Sequence, residues 1–315
     1  MDPVTTADAS LDAQLSRALP LGRPPSEATL RWVCECLGPG SAVQAVRPIA
    51  GGTSHTNHFL LVETRSGTVH RLVLRRWTEW ESDFPPEREI AALALLAGCE
   101  IPTPQLIAAD PSGGRCGAPA LLITRLPGHP PRPVPEDLSE YLIQLAAALV
   151  SLHDVKGGTT MPPYTPYNRL QIRQPPFHAR NPGIWDKALE VVTDPPPEFT
   201  PHFIHRDYHP DNSLWACGRL CGIVDWDRAS YGPIGIDVAH MRCGLLLRYG
   251  RDAADAFAAA FEQVRGNYEH HPYWDLRCVV DLLPEEEHGR PLAPAGIERL
   301  EGYLEARLTD LGVLH

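Results

Sequence analysis

The sequence predicts an α+β chain in two lobes. A small N-terminal lobe holds an antiparallel five-stranded sheet and one helix, and a larger C-terminal lobe is mostly helical. Three observations lead there. Residues 42–124 run strand, strand, strand, helix, strand, strand. A proline-dense segment, Leu126-Pro-Gly-His-Pro-Pro-Arg-Pro-Val-Pro135, then keeps the chain extended. Beyond it, apolar residues recur at helical spacing. The expected division is a flexible tail over 1–25, a small lobe over 26–125 and a large lobe over 126–315.

Residues 1–25 are rich in Pro, Ala, Ser and Thr, with a turn of helix expected around 11–19. Ser26 can cap a helix whose Leu30, Val33, Cys34 and Leu37 share a face, stopped by Gly38. Residues 42–49 form a strand and 50–57 a loop, while 58–64 and 68–77 make a hairpin across Ser66-Gly67. Residues 86–97 place Ile90, Leu93 and Leu96 on one helical face, and 104–109 and 119–124 are two more strands.

In the large lobe, Leu138, Tyr141, Leu142, Leu145, Leu149 and Leu152 make one apolar stripe. A Gly/Pro-rich insertion fills 156–182, followed by a helix over 184–192. The run 201–204 delivers His205, Arg206 and Asp207 into a loop. Strands over 213–217 and 220–224 turn at Gly218-Arg219, and the second ends on Asp225. Helices follow over 234–249, 252–264, 273–283 and 297–311.

Composition excludes several classes. At 315 residues and 43% hydrophobic content, the chain can bury a real core. Stretches such as 142–152 are too short and too polar to span a bilayer, and the N-terminus lacks the regions of a signal peptide. A cytoplasmic protein is expected. Eight cysteines without a CxxC pair suggest free, mostly buried thiols, with Cys217 and Cys221 as core residues of the hairpin. A net charge of −11 argues against nucleic acid as a partner. Lys156 and Lys187 are the only lysines, so a phosphate site in the small lobe must use arginine.

Asp207, Asn212 and Asp225 are the residue types that phosphoryl transfer from a nucleotide needs. One carboxylate orients and deprotonates a hydroxyl, and an amide oxygen with a second carboxylate holds magnesium. The catalytic loop and the hairpin after it would bring them together. The spaced set His205-x-Asp207-x-x-x-x-Asn212 followed by Asp225-Trp226 resembles the aminoglycoside phosphotransferase and choline kinase family of small-molecule kinases, which has the fold of protein kinases. The string His205-Arg206-Asp207 with Asn212 also fits a protein-kinase catalytic loop. Asp225-Trp226-Asp227 in place of Asp-Phe-Gly, Tyr208-His209-Pro210 and the missing Ala-Pro-Glu motif favour the small-molecule branch. The resemblance covers about 42–239.

The resemblance implies ATP, or GTP, with Mg²⁺ as cofactors and a small-molecule hydroxyl as acceptor, in a monomer or homodimer without a membrane partner. Asp207 is the expected base, and Asn212 and Asp225 the expected metal ligands. Gly51, Gly52, Thr53 and Ser54 offer bare amides and hydroxyls to phosphate oxygens. Strand alternation puts Val73 and Arg75 on one face and Leu72 and Leu74 on the other. If the leucines pack under the lobe's helix, Val73 roofs the adenine and Arg75, held by Glu89, reaches the phosphates. Arg76, Glu87 and Arg88 are expected on a solvated face. His205 braces the loop, Asp237 is structural at a helix start, and Asp227 is either near the metal or facing solvent. In His271-Pro-Tyr-Trp-Asp275, Tyr273 and Trp274 belong to the core and Asp275 to the surface. Other readings are a catalytically silent nucleotide-binding protein, a protein kinase, and a metal hydrolase built on His205-x-Asp207-x-His209.

Overall fold

In the computed structural model, which describes residues 24–49, 55–77, 84–283 and 294–314, Ser26 starts the first helix. Its side chain accepts the N–H of Thr29 at 3.2 Å, and helix α1 (Glu27–Leu37) ends at Gly38, whose φ of 104° suits a residue without Cβ. Trp32 and Val33 form the buried face of α1, with Leu30 and Leu37 at its margin. The expected turn of helix around 11–19 lies outside the described residues.

The described chain divides into two bodies: 24–128 with Cys221–Arg228, and 129–220 with 229–314. The first body is built on β1 (Ala42–Ile49), β2 (His55–Glu63), β3 (Val69–Trp77), β4 (Leu106–Asp110) and β5 (Ala120–Thr124). They make one antiparallel five-stranded sheet in the order β1-β2-β3-β5-β4. Leu72 and Leu74 of β3 are buried, and they pack with Leu60, Val62, Trp32 and Val33. The helix that covers the leucines is therefore α1. Helix α2 (Pro86–Leu96) instead contributes Glu89, buried like Ala92, Leu93 and Leu96.

One boundary in this body changes the chemistry. The stretch 55–57, expected as loop, is strand: His55, Thr56 and Asn57 pair with Trp77, Arg76 and Arg75. The far end of β3 still offers backbone partners there, so β2 starts early and carries His55 inward. Arg76 and Arg88 are half-buried rather than solvated, while Glu87 is exposed.

In the second body, α3 (Leu138–His153) buries Tyr141, Leu142, Leu145, Leu149 and Leu152, the stripe read from the sequence. Helix α4 (Pro182–Thr193) follows the insertion. Strand β6 (His202–Ile204) pairs with β9 (Ser230–Gly232) and leads into the loop that carries Asp207. Strands β7 (Ser213–Ala216) and β8 (Arg219–Ile223) form the hairpin, and within β8, at Cys221, the chain leaves the second body for the first. The hairpin's turn is Cys217-Gly218, at φ 51° and 71°, one residue earlier than expected, because a two-residue loop that matches strand twist needs positive φ at both positions.

Strand β8 stops at Ile223, not Asp225. Asp225 has a φ of 72°, outside the strand region, and Asp is among the residue types that tolerate it. Helices α5 (Ile234–Tyr249), α6 (Arg251–Arg265), α7 (Tyr273–Val280) and α8 (Pro294–Asp310) complete the body. Helix α7 ends three residues short of the expected 283, because Leu282 and Leu283 bond back to Val279 and Val280 in tighter turns.

The thiols also differ from expectation. All eight cysteines are free, but only Cys116, Cys243 and Cys278 are buried. Cys217 is exposed at the hairpin tip and Cys221 half-buried, so neither is a core residue. Among the described residues, no helix is long and apolar enough to cross a membrane.

Candidate active site

Strand β3 drives Arg75 into an acidic cluster in the first body. Its Nε lies 3.0 Å from Glu89 Oε2. Its Nη2 donates to the Asp225 carboxylate and lies 2.9 Å from His55 Nδ1 and 3.7 Å from Asp227 Oδ2. Arg75 is 6% exposed, so burial by itself would weaken its charge, but Asp225, Glu89 and Asp227 together hold it above its ordinary pKa. A lysine could place one point charge here, whereas the guanidinium meets Glu89 on one edge and Asp225 and His55 on another.

The carboxylates pay unequal electrostatic costs. Burial pushes Glu89 up to about 7 although Arg75 pulls it down. Asp227, which the sequence left open, is buried, and burial with the nearby Asp225 charge raises it to about 8. Three carboxylates thus lie around Arg75, with Arg228 Nε also 3.5 Å from Asp227, and a divalent cation bound there would favour their ionised forms. His55, Asp225 and Asp227 each bring one ligand atom within 4.8 Å of the others. Burial and then Arg75 push His55 down to about 2, so the imidazole is neutral. A guanidinium can only donate, so Nδ1 accepts from Arg75 and Nε2 carries the proton, 3.6 Å from Asp227. The carboxylate oxygens, not His55, are therefore the donors that fit Mg²⁺, and Asp225 is the accessible one, with its side chain 28% exposed.

The expected phosphate loop, Gly51, Gly52, Thr53 and Ser54, lies outside the described residues. Val73 is half-buried on the strand face it shares with Arg75, opposite Phe59 and Ile123 in the register.

In the second body, the loop carrying Asp207 hangs from α5. Asp237, in the first turn of α5, accepts the N–H of His205 at 2.9 Å and of Arg206 at 2.7 Å. His153 Nε2 reaches the same carboxylate at 3.0 Å. Burial would raise Asp237, but the hydrogen bond and charge from His153, with His205, hold it below the usual carboxylate range. Asp237 is thus an ionised clamp on the loop backbone.

Arg206 has a φ of 73°, a conformation costing a non-glycine residue roughly 1–2 kcal/mol. Its side chain secures it. The guanidinium is buried against Asp281 at 3.0 Å, donates to the Thr165 carbonyl, and sits 3.5 Å from the Tyr167 ring centroid.

Next to it, the Asp207 side chain is 32% exposed. Its N–H meets His205 Nδ1 at 3.3 Å, which is the bracing expected of His205. Asn212 Nδ2 donates to the Asp207 carbonyl at 2.9 Å and lies 3.4 Å from Asp207 Oδ2. This orients the amide and leaves its carbonyl oxygen to accept or to ligate. His209 Nε2 is 3.7 Å and His240 Nδ1 4.0 Å from the Asp207 carboxylate. Among the described residues, the grouping suited to a metal is His55, Asp225 and Asp227, not the histidines flanking Asp207.

Tyr273 and Trp274 are buried as expected, but Asp275 is buried too. Arg242 at 2.6 Å, Tyr303 Oη at 2.8 Å and His270 at 3.1 Å surround its carboxylate. It is an internal anion rather than a surface residue, because its helix is covered on the side it faces.

Sequence reasoning missed His55, His240 and Asp281, and the buried ion pair of the Arg206 side chain. For His55 the available signal was the length of β3, which invites pairing back to residue 55. For His240 and Asp281, nothing local marks them.

Comparison with known proteins places these sites in context. A family model described as a phosphotransferase enzyme family matches residues 45–278. Viomycin phosphotransferase of Streptomyces vinaceus is 26% identical over 226 residues, covering 63% of this chain and 78% of that protein. Homoserine kinase of Rhodospirillum rubrum is 30% identical over 215 residues, covering 62% of this chain and 63% of that one. Among solved structures, an aminoglycoside phosphotransferase in ternary complex with ADP and hygromycin B matches with a TM-score of 0.58 at 14% identity, over 90% of this chain and 98% of that one. An aminoglycoside-3'-phosphotransferase of type VIII matches with a TM-score of 0.56 at 17% identity, over 80% and 96%. These likenesses show a shared fold.

Proposed function

We propose, from the premise that this chain belongs to the phosphotransferase enzyme family, that it moves the γ-phosphoryl group of ATP onto a hydroxyl of a small molecule. The acceptor oxygen forms a bond to the γ-phosphorus, the bond to the β–γ bridging oxygen breaks, ADP leaves, and the hydroxyl proton passes to Asp207. The observation that carries this reading is the setting of Asp207: a carboxylate open to solvent, with Asn212 bonded to its carbonyl at 2.9 Å. The transition state is loose, so holding the hydroxyl in line matters more than the strength of the base.

In this reading Asn212 and Asp225 hold Mg²⁺, with Asp227 beside Asp225. The bound ion would neutralise charge on the transferring phosphate. Gly51, Gly52, Thr53 and Ser54 receive phosphate oxygens, Val73 covers the adenine, and Arg75, set by Glu89, pairs with the phosphates. GTP is the alternative donor. The acceptor is an aminoglycoside-like antibiotic, an amino alcohol or a sugar. The names of the two relatives point to viomycin and homoserine as first candidates.

One observation favours a second reading, a catalytically silent nucleotide-binding protein. Arg75 already donates to the Asp225 carboxylate that a metal needs. A single screen separates the two. Wild type and Asp207→Asn are incubated with magnesium ATP or GTP and viomycin, homoserine, hygromycin B and simple sugars, and ³¹P NMR follows phosphomonoester. Turnover by wild type alone supports the kinase. Tight nucleotide binding without a phosphomonoester from any acceptor supports the silent protein.

A further inference from the structure

His240 lies one helical turn after Asp237 on α5, so both side chains face the catalytic loop. Asp237 takes the loop's backbone N–H groups, and His240 lies beneath the next side chain. Its ring is 8% exposed. Arg206 Nη1 is 3.1 Å from His240 Nε2. A guanidinium carries no acceptor, so Nε2 must accept, and in a neutral ring the proton is then on Nδ1. That Nδ1 is buried without a hydrogen-bond partner, an arrangement folded proteins seldom keep without use. Asp207 Oδ1 stands 4.0 Å away from it.

We infer that His240 is a positioning residue for Asp207: Arg206 fixes its ring so that Nδ1–H faces Oδ1 and holds the carboxylate toward the incoming hydroxyl. The inference rests on the reading of Asp207 as the proton acceptor. Asn212 Nδ2 faces the other oxygen at 3.4 Å, so both carboxylate oxygens have a donor directed at them. A separation of 4.0 Å is longer than a hydrogen bond, and such catalytic contacts commonly tighten when the substrate complex forms.

Everything around Arg206 serves this orientation. Asp281 and the Thr165 carbonyl hold the guanidinium in place. Tyr167 stacks on the His240 ring at 5.8 Å and 24° and also bonds the Arg206 carbonyl at 3.1 Å. A ring flipped by half a turn would offer Arg206 a C–H in place of Nε2. Burial and then the Arg206 charge push the His240 pKa down to about 4, so the ring stays neutral near pH 7.

Two measurements test it on the full chain. Protein labelled with ¹⁵N-histidine is studied by long-range proton–nitrogen NMR, and the signals lost in His240→Gln assign the ring. A neutral ring protonated on Nδ1, whose Nδ1 resonance moves in Asp207→Asn, is expected. A ring protonated on Nε2, or one that does not respond to Asp207→Asn, overturns the assignment.

The kinetic arm follows hydrolysis of magnesium ATP, with water in place of the acceptor. His240→Gln keeps an acceptor for Arg206 but has no donor at the Nδ1 position, whereas His240→Asn keeps an N–H there. His240→Gln is expected to lower kcat about 10- to 100-fold with KM for ATP unchanged, and His240→Asn to recover most of it. Equal losses in both variants, or none in either, overturn the assignment. If wild type hydrolyses no ATP with water, the same comparison is made with the acceptor found in the screen, and the NMR result decides the His240 assignment independently of turnover.

Discussion

Asp237 Oδ1 accepts the backbone N–H of Arg206 at 2.7 Å across 31 residues of chain. The same carboxylate holds His205 and His153, so one buried anion ties the loop carrying Asp207 to α5 and α3. Its pKa is held below the ordinary value, and the sign of the pH effect follows. The stability it contributes is present above the unfolded carboxylate pKa of about 3.9 and is lost as pH falls below it. Unfolding free energies from urea titration of wild type and Asp237→Asn should therefore converge at acid pH and separate above about pH 5, by roughly 3–5 kcal/mol. Parallel curves across that range would mean the clamp does not bear on stability.

Arg75→Ala should weaken magnesium-nucleotide binding, and Arg76→Ala should leave it nearly unchanged, because only Arg75 shares a face with Val73 and enters the Glu89 cluster. Arg75→Lys should fall between them, since an ammonium cannot serve Glu89, Asp225 and His55 with one fixed fork. Calorimetric titration with ATP decides this. Damage confined to Arg76→Ala would place the nucleotide on the other face of the sheet.

Asp207→Asn should keep the fold and nucleotide affinity and lose about 10²–10⁴-fold in transfer rate, the usual contribution of a general base. Asp225→Asn should weaken magnesium-nucleotide binding as well as turnover if Asp225 is the metal ligand proposed, because the ligand loses its charge. Rates with each acceptor found in the screen, measured beside nucleotide affinity, separate the two roles. Near-normal transfer by Asp207→Asn, with chemistry rate-limiting, would falsify the catalytic assignment.

Gly244, one turn beyond His240 on α5, gives Pro210 its space. A Cβ there would stand 2.7 Å from Pro210 Cδ and 3.5 Å from His209 Cβ. Gly244→Ala should destabilise the protein by about 1–3 kcal/mol through overpacking and slow turnover by displacing the loop that carries Asn212. Gly302 of α8 has no atom within 4 Å of its would-be Cβ, so Gly302→Ala should instead stabilise by about 0.5–1 kcal/mol. Thermal denaturation of the two variants checks the contrast. A stabilised Gly244→Ala would show that α5 does not seat the loop this closely.

The sequence by itself determined the element order, the sheet of the small lobe, the apolar stripe of α3 and the spacing from His205 to Asn212. These are local matters: strand alternation, helical period, a cap at Ser26 and a motif within one loop, each set by neighbours a few residues apart. Only the tertiary structure decided which charges meet. Arg75 finds Asp225 across 150 residues, and Arg206 finds Asp281 across 75. It brought His55 into the acidic cluster by extending β2 along β3, placed Asp275 inside, and set His240 under Asp207. A buried charge must find its partner wherever the fold provides one, at whatever distance in sequence, because leaving it unpaired costs several kcal/mol. No local pattern encodes that choice.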